Sequence, residues 1–265
     1  MVKVKPHVKC SQRHLSASPG RTTPRIPATI LSIIAASLVV TSRAFAQIEP
    51  EGWLVAQSML SNVVRIEVQK QGHVESGFGL IAGEKAGILY IVTAYHVVSG
   101  AQAKNQELTP VKVKLFGPSD GIHARGGTIY DAEVMESHDR KHDLAVVTLA
   151  APSGTGWNTR CMGRYHEQKR PTELYFIGQS KGPEHAIWYT APTPGHVVSE
   201  EPVDNQFDID GLWAASGSAG GPVVGKTGIV GMIQKSTPDH TRALSIDFIK
   251  TMFLKWGYPW SLDYR

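Results

Sequence analysis

Cysteine is almost missing from this chain: two in 265 residues. A disulfide framework is therefore excluded. No apolar run reaches the roughly 20 residues that a membrane-crossing helix takes. The run Thr29–Val40 has 12, so a polytopic membrane protein is excluded as well. Acidic residues are wholly missing from residues 1–46, which carry seven basic ones. No repeat at solenoid spacing and no low-complexity linker interrupts the rest. What remains is an ordinary globular composition, 42% hydrophobic and 19% charged. That suits one domain or two small ones and excludes a disordered chain.

The basic leader, the apolar run and Ala44-Phe45-Ala46 before Gln47 form the three parts of a secretory signal. We expect residues 1–46 to be a signal peptide and 47–265 to be one folded domain, periplasmic or secreted. An uncleaved leader would instead anchor the chain, the one route to a membrane that the sequence offers. Cleavage would leave Cys161 without a partner and remove Cys10. Cys161 then reads as a half-buried small hydrophobe rather than a redox group. Without the leader the balance is 20 basic against 23 acidic residues, a net charge of −3. Nucleic acid is excluded as a partner, because the folded part has no basic excess.

After a helical entry near 53–60, the apolar pattern alternates or comes in short runs. Strands are expected at Val63–Val68, Gly77–Ala82, Ile88–Thr93, Val111–Phe116, Thr128–Glu133 and Leu144–Leu149. Further strands are expected at Glu173–Ile177, Ile187–Thr190, His196–Val198, Pro222–Val224 and Ile229–Ile233. Turn clusters such as Gly83-Glu84-Lys85-Ala86-Gly87 separate them. This is the pattern of an all-β sandwich or barrel. The spacing of Ile246, Ile249, Met252, Phe253 and Trp256 predicts a terminal amphipathic helix. The aromatics Trp256, Tyr258 and Trp260 are read as a tail docked on the second half of the domain. Only 43 residues follow Pro222, too few for an appended peptide-binding domain.

Three motifs carry the chemistry. Thr93-Ala94-Tyr95-His96-Val97-Val98 ends a strand with a histidine. His142-Asp143-Leu144-Ala145-Val146-Val147 opens a strand with an aspartate. Gly217-Ser218-Ala219-Gly220-Gly221-Pro222 is a glycine-rich turn before a strand. Each is weak alone, but the order His, Asp, glycine-rich turn is specific. In this order the chain resembles the trypsin-like, chymotrypsin-fold serine proteases, of the bacterial exported type without a PDZ domain. Ser76-Gly77-Phe78-Gly79-Leu80-Ile81 and Gly228-Ile229-Val230-Gly231-Met232 support the likeness, which covers about residues 60–256. The resemblance implies two packed six-stranded antiparallel β-barrels, with a cleft between them that takes a protein or peptide substrate. It implies His96 as general base, Asp143 as its orienter, and the N–H groups of Gly217 and Ala219 as the oxyanion hole. No cofactor and no metal are implied, and a monomer is the default.

The nucleophile position of the family turn falls on Ala219. The step from Pro222 to Gly228 keeps the family spacing, so no slip restores a serine. Ser218 lies one residue early, where its side chain points elsewhere. Two functions stay open: a non-catalytic relative that binds peptides or a partner, and an active endopeptidase that recruits Ser218. The ungapped register favours the first. The stretch Gly211–Ala215 has no carboxylate where a trypsin-type pocket has one, and Asp208 and Asp210 lie too far upstream. No preference for Lys or Arg is expected, and Trp213 is expected to narrow the substrate pocket to small apolar side chains. The turn also resembles that of some α/β-hydrolase esterases, but those require the order Ser, acid, His and a different strand pattern. His138, Asp139, His142 and Asp143 have spacing that a helix could use for a metal. We read them instead as a solvated polar loop.

Overall fold

The computed structural model describes residues 51–70, 72–100, 110–115, 127–165, 173–179, 187–189, 195–198, 202–212, 214–237 and 240–265. The 1–46 leader lies outside these residues. An entry helix, α1 (Glu51–Ser58), and a short 3-10 turn (Leu60–Asn62) lead into the first barrel. Its strands are β1 (Val63–Lys70), β2 (His73–Lys85), β3 (Ile88–Ala94), β4 (Val111–Leu115), β5 (Thr128–Asp139) and β6 (Leu144–Ala150), with a one-turn helix α2 (Tyr95–Val98) after β3. They close in the order β1-β2-β3-β6-β5-β4, every pair antiparallel.

The second half supplies β7 (Arg160–Met162), β8 (Glu173–Phe176), β9 (Gly178–Gln179), β10 (Ile187–Tyr189), β11 (Gly195–Val197) and β12 (Gln206–Asp210). It continues with β13 (Pro222–Gly225), β14 (Gly228–Ser236), β15 (His240–Ser245), α3 (Ile246–Lys255) and β16 (Asp263–Tyr264). The circuit β13-β8-β11-β12-β15-β14 is closed by the pairing of β13 with β14, giving a second six-stranded antiparallel barrel. β7 runs parallel to β14, and β16 parallel to β7. The expected two-barrel architecture with a short C-terminal helix is the one observed.

Three apolar clusters hold this together. Val64, Ile66, Leu89, Ile91 and Val147 fill the first barrel. Phe176, Phe207, Ile209, Val223 and Val230 fill the second. Between the barrels lie Leu80, Val92, Leu144, Val146, Met232 and Phe253. Side chains alternate faces along a strand. In β6, Val147 therefore enters the barrel while Leu144 and Val146 enter the seam between barrels. Six successive residues of β6 are buried for that reason, so its sequence is a continuous apolar run and not an alternation. Cys161 is fully buried, not half-buried. Burial and the charge of Asp263 push its thiol up to about 12, which makes it inert at neutral pH.

Two expectations need correction. The C-terminal tail does not dock on the second barrel alone. Ser261 donates its N–H to the Ala82 carbonyl at 2.9 Å, and Tyr258 meets Tyr90 at 5.6 Å between ring centroids. Both partners belong to the first barrel, so the tail straps the two together. The 138–143 segment is also not solvated throughout: Arg140 and Lys141 are exposed in a turn, but His142 is buried. β5 runs through His138 to Asp139, and His142 is 8% exposed. Its Nδ1 lies 2.6 Å from Asp139 Oδ2 and its Nε2 lies 3.4 Å from Asp204 Oδ1. Its ring packs on Phe248, centroids 4.5 Å apart, and its carbonyl accepts from the Gln234 side chain. Asp204 and Gln234 come from the second half of the chain, so His142 pins one barrel to the other.

Candidate functional site

Strand pairing explains how residues 47 positions apart come to touch. β3 and β6 are antiparallel neighbours, with Ala94 opposite Leu144. Tyr95, just after β3, and Asp143, just before β6, are therefore forced side by side, and the one-turn helix α2 brings His96, the next residue, to the same aspartate. His96 Nδ1 lies 2.7 Å from Asp143 Oδ2, and the His96 N–H donates to Asp143 Oδ1 at 2.8 Å. Asp143 adopts the left-handed conformation, φ 49°, which carries a cost for a residue with a Cβ. That strained backbone lets its carbonyl accept from the Tyr95 N–H at 3.0 Å while its carboxylate grips the histidine. The ring of His96 stays half exposed. Its Nε2 has no partner among the described residues.

The electrostatics follow from these contacts. The hydrogen bond to the Asp143 carboxylate raises the His96 pKa above its ordinary 6.5. Partial burial opposes that rise, the charges of Asp143 and Glu75 add to it, and the charge of Lys70 works against it. Lys70 also donates to the His96 carbonyl at 2.7 Å, which fixes the backbone of the one-turn helix. The result is an imidazole held in one orientation by a carboxylate, with one ring nitrogen open to a cleft. Such a group takes a proton from a hydroxyl, or donates one to an anion.

The second side of the cleft is the turn before β13. Gly217 and Gly220 have φ of 87° and 84°, a region that glycine enters without penalty. At Gly220 a Cβ would sit 1.9 Å from the Phe78 carbonyl oxygen, so only glycine fits there. The turn is tied to its surroundings on every side. Gly220 N–H donates to the Ile233 carbonyl at 2.7 Å, and the Ala219 carbonyl accepts from the Phe78 N–H at 2.7 Å. The latter bond joins the Ser76–Ile81 motif of β2 to the glycine-rich turn, and so one barrel to the other. Ser218 donates its N–H to the Ala215 carbonyl at 3.1 Å. The N–H groups of Gly217 and Ala219, on either side of it, have no protein partner among the described residues.

The side chain of Ser218 points inward. Its hydroxyl donates to the Gln179 carbonyl at 2.8 Å and accepts from the Gln179 N–H at 3.0 Å. The residue is 1% exposed. In this position the hydroxyl completes a short ladder beyond β9, with Ala215 N–H also donating to the Gln179 carbonyl at 2.9 Å.

A cleft of about 490 Å³ lies between the two sides, lined by His96, Asp143, Gly217, Ser218 and Ala219, all expected from the sequence. Trp213 lies outside the described residues. The neighbouring wall is Ala214 and Ala215 on one side and Ile233–Thr237 of the β14 region on the other. Asp143 is the one carboxylate among these lining residues, and Lys235 is the second basic group beside His96. Asp208 is elsewhere, paired with Arg242 across β12 and β15 at 2.8 Å. Gln179, Gln234 and Lys235 were not picked out from the sequence. Gln179 sits 39 residues from Ser218, at the end of a two-residue strand. Nothing in its local pattern marks it.

A family model described as a trypsin-like peptidase domain matches residues 76–232, a span that contains His96, Asp143 and Ala219. No curated protein matches the chain in sequence. Many solved structures match it in fold. One of them, the crystal structure of Deg5, superimposes with a TM-score of 0.57 at 22% identity, over 78% of this chain and 94% of that one. At that identity the likeness speaks for the fold. The family model covers more than half of the sequence, and its span holds the histidine, the aspartate and the glycine-rich turn in order: the chain belongs to the trypsin-like peptidase family.

Proposed function

We propose that this protein is a non-catalytic member of the family, which uses the cleft to hold a peptide or the extended segment of a protein partner. One observation carries the reading. The residue at the nucleophile position is Ala219, and the neighbouring hydroxyl of Ser218 spends both its donor and an acceptor site on Gln179. To reach His96, Ser218 would have to break two hydrogen bonds and leave a buried site, taking from the Gln179 N–H the hydroxyl it donates to. The His96–Asp143 pair supports the competing reading, an endopeptidase that recruits Ser218. A hydroxyl held elsewhere by good geometry gives that pair nothing to deprotonate. The cleft wall also supports a ligand without Lys or Arg at this site, since Lys235 lines it and the one lining carboxylate is engaged by His96.

A serine-reactive fluorophosphonate probe tests this on the purified protein, beside Ser218→Ala and Ala219→Ser variants. The parent is expected to stay unlabelled and Ala219→Ser to gain labelling. Labelling of the parent that vanishes in Ser218→Ala would overturn the reading. We further propose that residues 1–46 direct export to the periplasm or medium and are removed after Ala46. N-terminal sequencing of the exported protein checks that, with Gln47 expected first.

A further inference from the structure

The cleft carries an arrangement of donors that a peptide-holding role does not by itself require. Two backbone N–H groups, of Gly217 and Ala219, are unpartnered among the described residues and flank a turn that the rest of the fold holds rigid. The imidazole of His96 has its Nδ1 fixed on Asp143 and its Nε2 open. Where the family turn places a hydroxyl oxygen, this chain has the methyl of Ala219. An oxygen there would set its lone pairs against an incoming anion. A methyl group does not, and it leaves more room.

We propose that the cleft receives the free C-terminal carboxylate of a peptide, with one oxygen accepting from the N–H groups of Gly217 and Ala219 and the other from His96 Nε2–H. The inference rests on the reading above, that the cleft binds peptides without cutting them, and names the ligand class. An internal peptide bond offers one neutral carbonyl oxygen to these donors. A C-terminus offers two oxygens and a full negative charge, and charge-assisted hydrogen bonds are about twice as strong as neutral ones. Backbone N–H groups left unpartnered in a tight turn suit an anion, and here the Gly217 and Ala219 groups are so left while the Ser218 N–H between them donates to Ala215. The charges in the cleft agree. Asp143 is the one carboxylate among the lining residues, and it is already engaged by the His96 ring and N–H. Lys235 of β14 adds a positive charge to the same wall. Around His96, Asp143 from the β5–β6 turn and Glu75 from β2 favour the imidazolium, and Lys70 from β1 disfavours it.

The test uses one pool of random hexapeptides made in two forms, C-terminal acid and C-terminal amide, equilibrated with the immobilised full chain. Retention is read by mass spectrometry at pH 6 and pH 9. Enriched sequences are resynthesised in both forms for titration calorimetry. The acid is expected to bind about tenfold more tightly than its amide at pH 6. That preference is expected to shrink as pH rises from 6 to 9 and the imidazolium loses its proton, and to fall away in His96→Gln and His96→Ala, both checked for folding by circular dichroism. Acid-form peptide is also expected to shift the amide resonances of Gly217 and Ala219. Equal binding of acid and amide would overturn this inference and leave the peptide-holding cleft standing. Tighter binding of the amide would do the same. Retention of neither form would overturn both readings. A preference for the acid that survives in both His96 variants would overturn the part assigned to His96.

Discussion

Two histidine–aspartate pairs lie almost side by side in this chain, and they have been put to opposite uses. His96 and Asp143 meet at 2.7 Å, and His142 and Asp139 at 2.6 Å, each through Nδ1. The side chain of His96 is 47% exposed and that of His142 is 10% exposed. The first ring keeps a nitrogen open to the cleft. The second has both nitrogens near carboxylates, a phenylalanine on one face, and its carbonyl tied to the other barrel. The chemical groups are the same, and their surroundings decide which pair is available to a ligand and which acts as a rivet. A motif reading that stops at residue type cannot separate them.

The largest effect that would sharpen this contrast is on reactivity. In an Ala219→Ser background, His96→Ala is expected to abolish fluorophosphonate labelling, a loss of orders of magnitude. His142→Ala is expected to leave labelling in place in whatever fraction stays folded. Labelling lost equally in both would mean that the two pairs act as one unit.

Next comes stability. His142→Ala removes a buried ring packed on Phe248 and leaves Asp139 without its ring partner. A loss of about 2–4 kcal/mol is expected. His96→Ala removes a half-exposed pair and is expected to cost less than about 1 kcal/mol. Urea denaturation midpoints of the two variants decide between this order and its reverse.

The smallest effect is the pH dependence, and it runs in opposite directions for the two pairs. The pKa of His96 is raised in the folded state. The stability it contributes is full below the unfolded value of 6.5 and is lost as pH rises through the higher folded value. Burial works to raise Asp139, but hydrogen bonds from the His142 ring and N–H and from the Lys141 N–H outweigh it and hold the carboxyl below its ordinary value. Its contribution is therefore present above the unfolded value of 3.8 and is lost as pH falls through the lower folded one. Denaturation midpoints followed across pH are expected to flatten on the alkaline side in His96→Ala and on the acid side in Asp139→Asn. A curve of unchanged shape in either variant would contradict that assignment.

The sequence was legible where chain order and local pattern carried the information. The first barrel could be read strand by strand, because its apolar runs are bounded by glycine-rich turns. His96, Asp143 and the turn around Ala219 stood out by their order. The second barrel was read less well. β12 is Gln206-Phe-Asp-Ile-Asp210 and β15 is His240-Thr-Arg-Ala-Leu-Ser245, strands with charges on their outer face. Asp208 and Arg242 satisfy each other across the pair, so each strand alone looks like a polar loop. β9 and β16 have two residues each, too short for any period to register. His142 reads as part of a solvated loop because its neighbours are charged, and the partner that helps bury it, Asp204, is 62 residues away. The inward turn of Ser218 depends on Gln179 in the same way. Contacts that distant leave no trace in a local window.

The strap formed by the C-terminal tail has a consequence for the order in which the protein takes shape. The first barrel is complete at Ala150 and needs nothing later to close its ring of strands. The His96–Asp143 pair belongs to that barrel alone. In any order of folding that closes this barrel first, the histidine and carboxylate are joined before the glycine turn is made. During that interval the seam residues Leu80, Val92, Leu144 and Val146 face water. They are covered only when Met232 and Phe253 arrive, and the Ala82 carbonyl gains its partner only with Ser261. A chain caught at that stage would present an apolar face to a chaperone before the cleft exists.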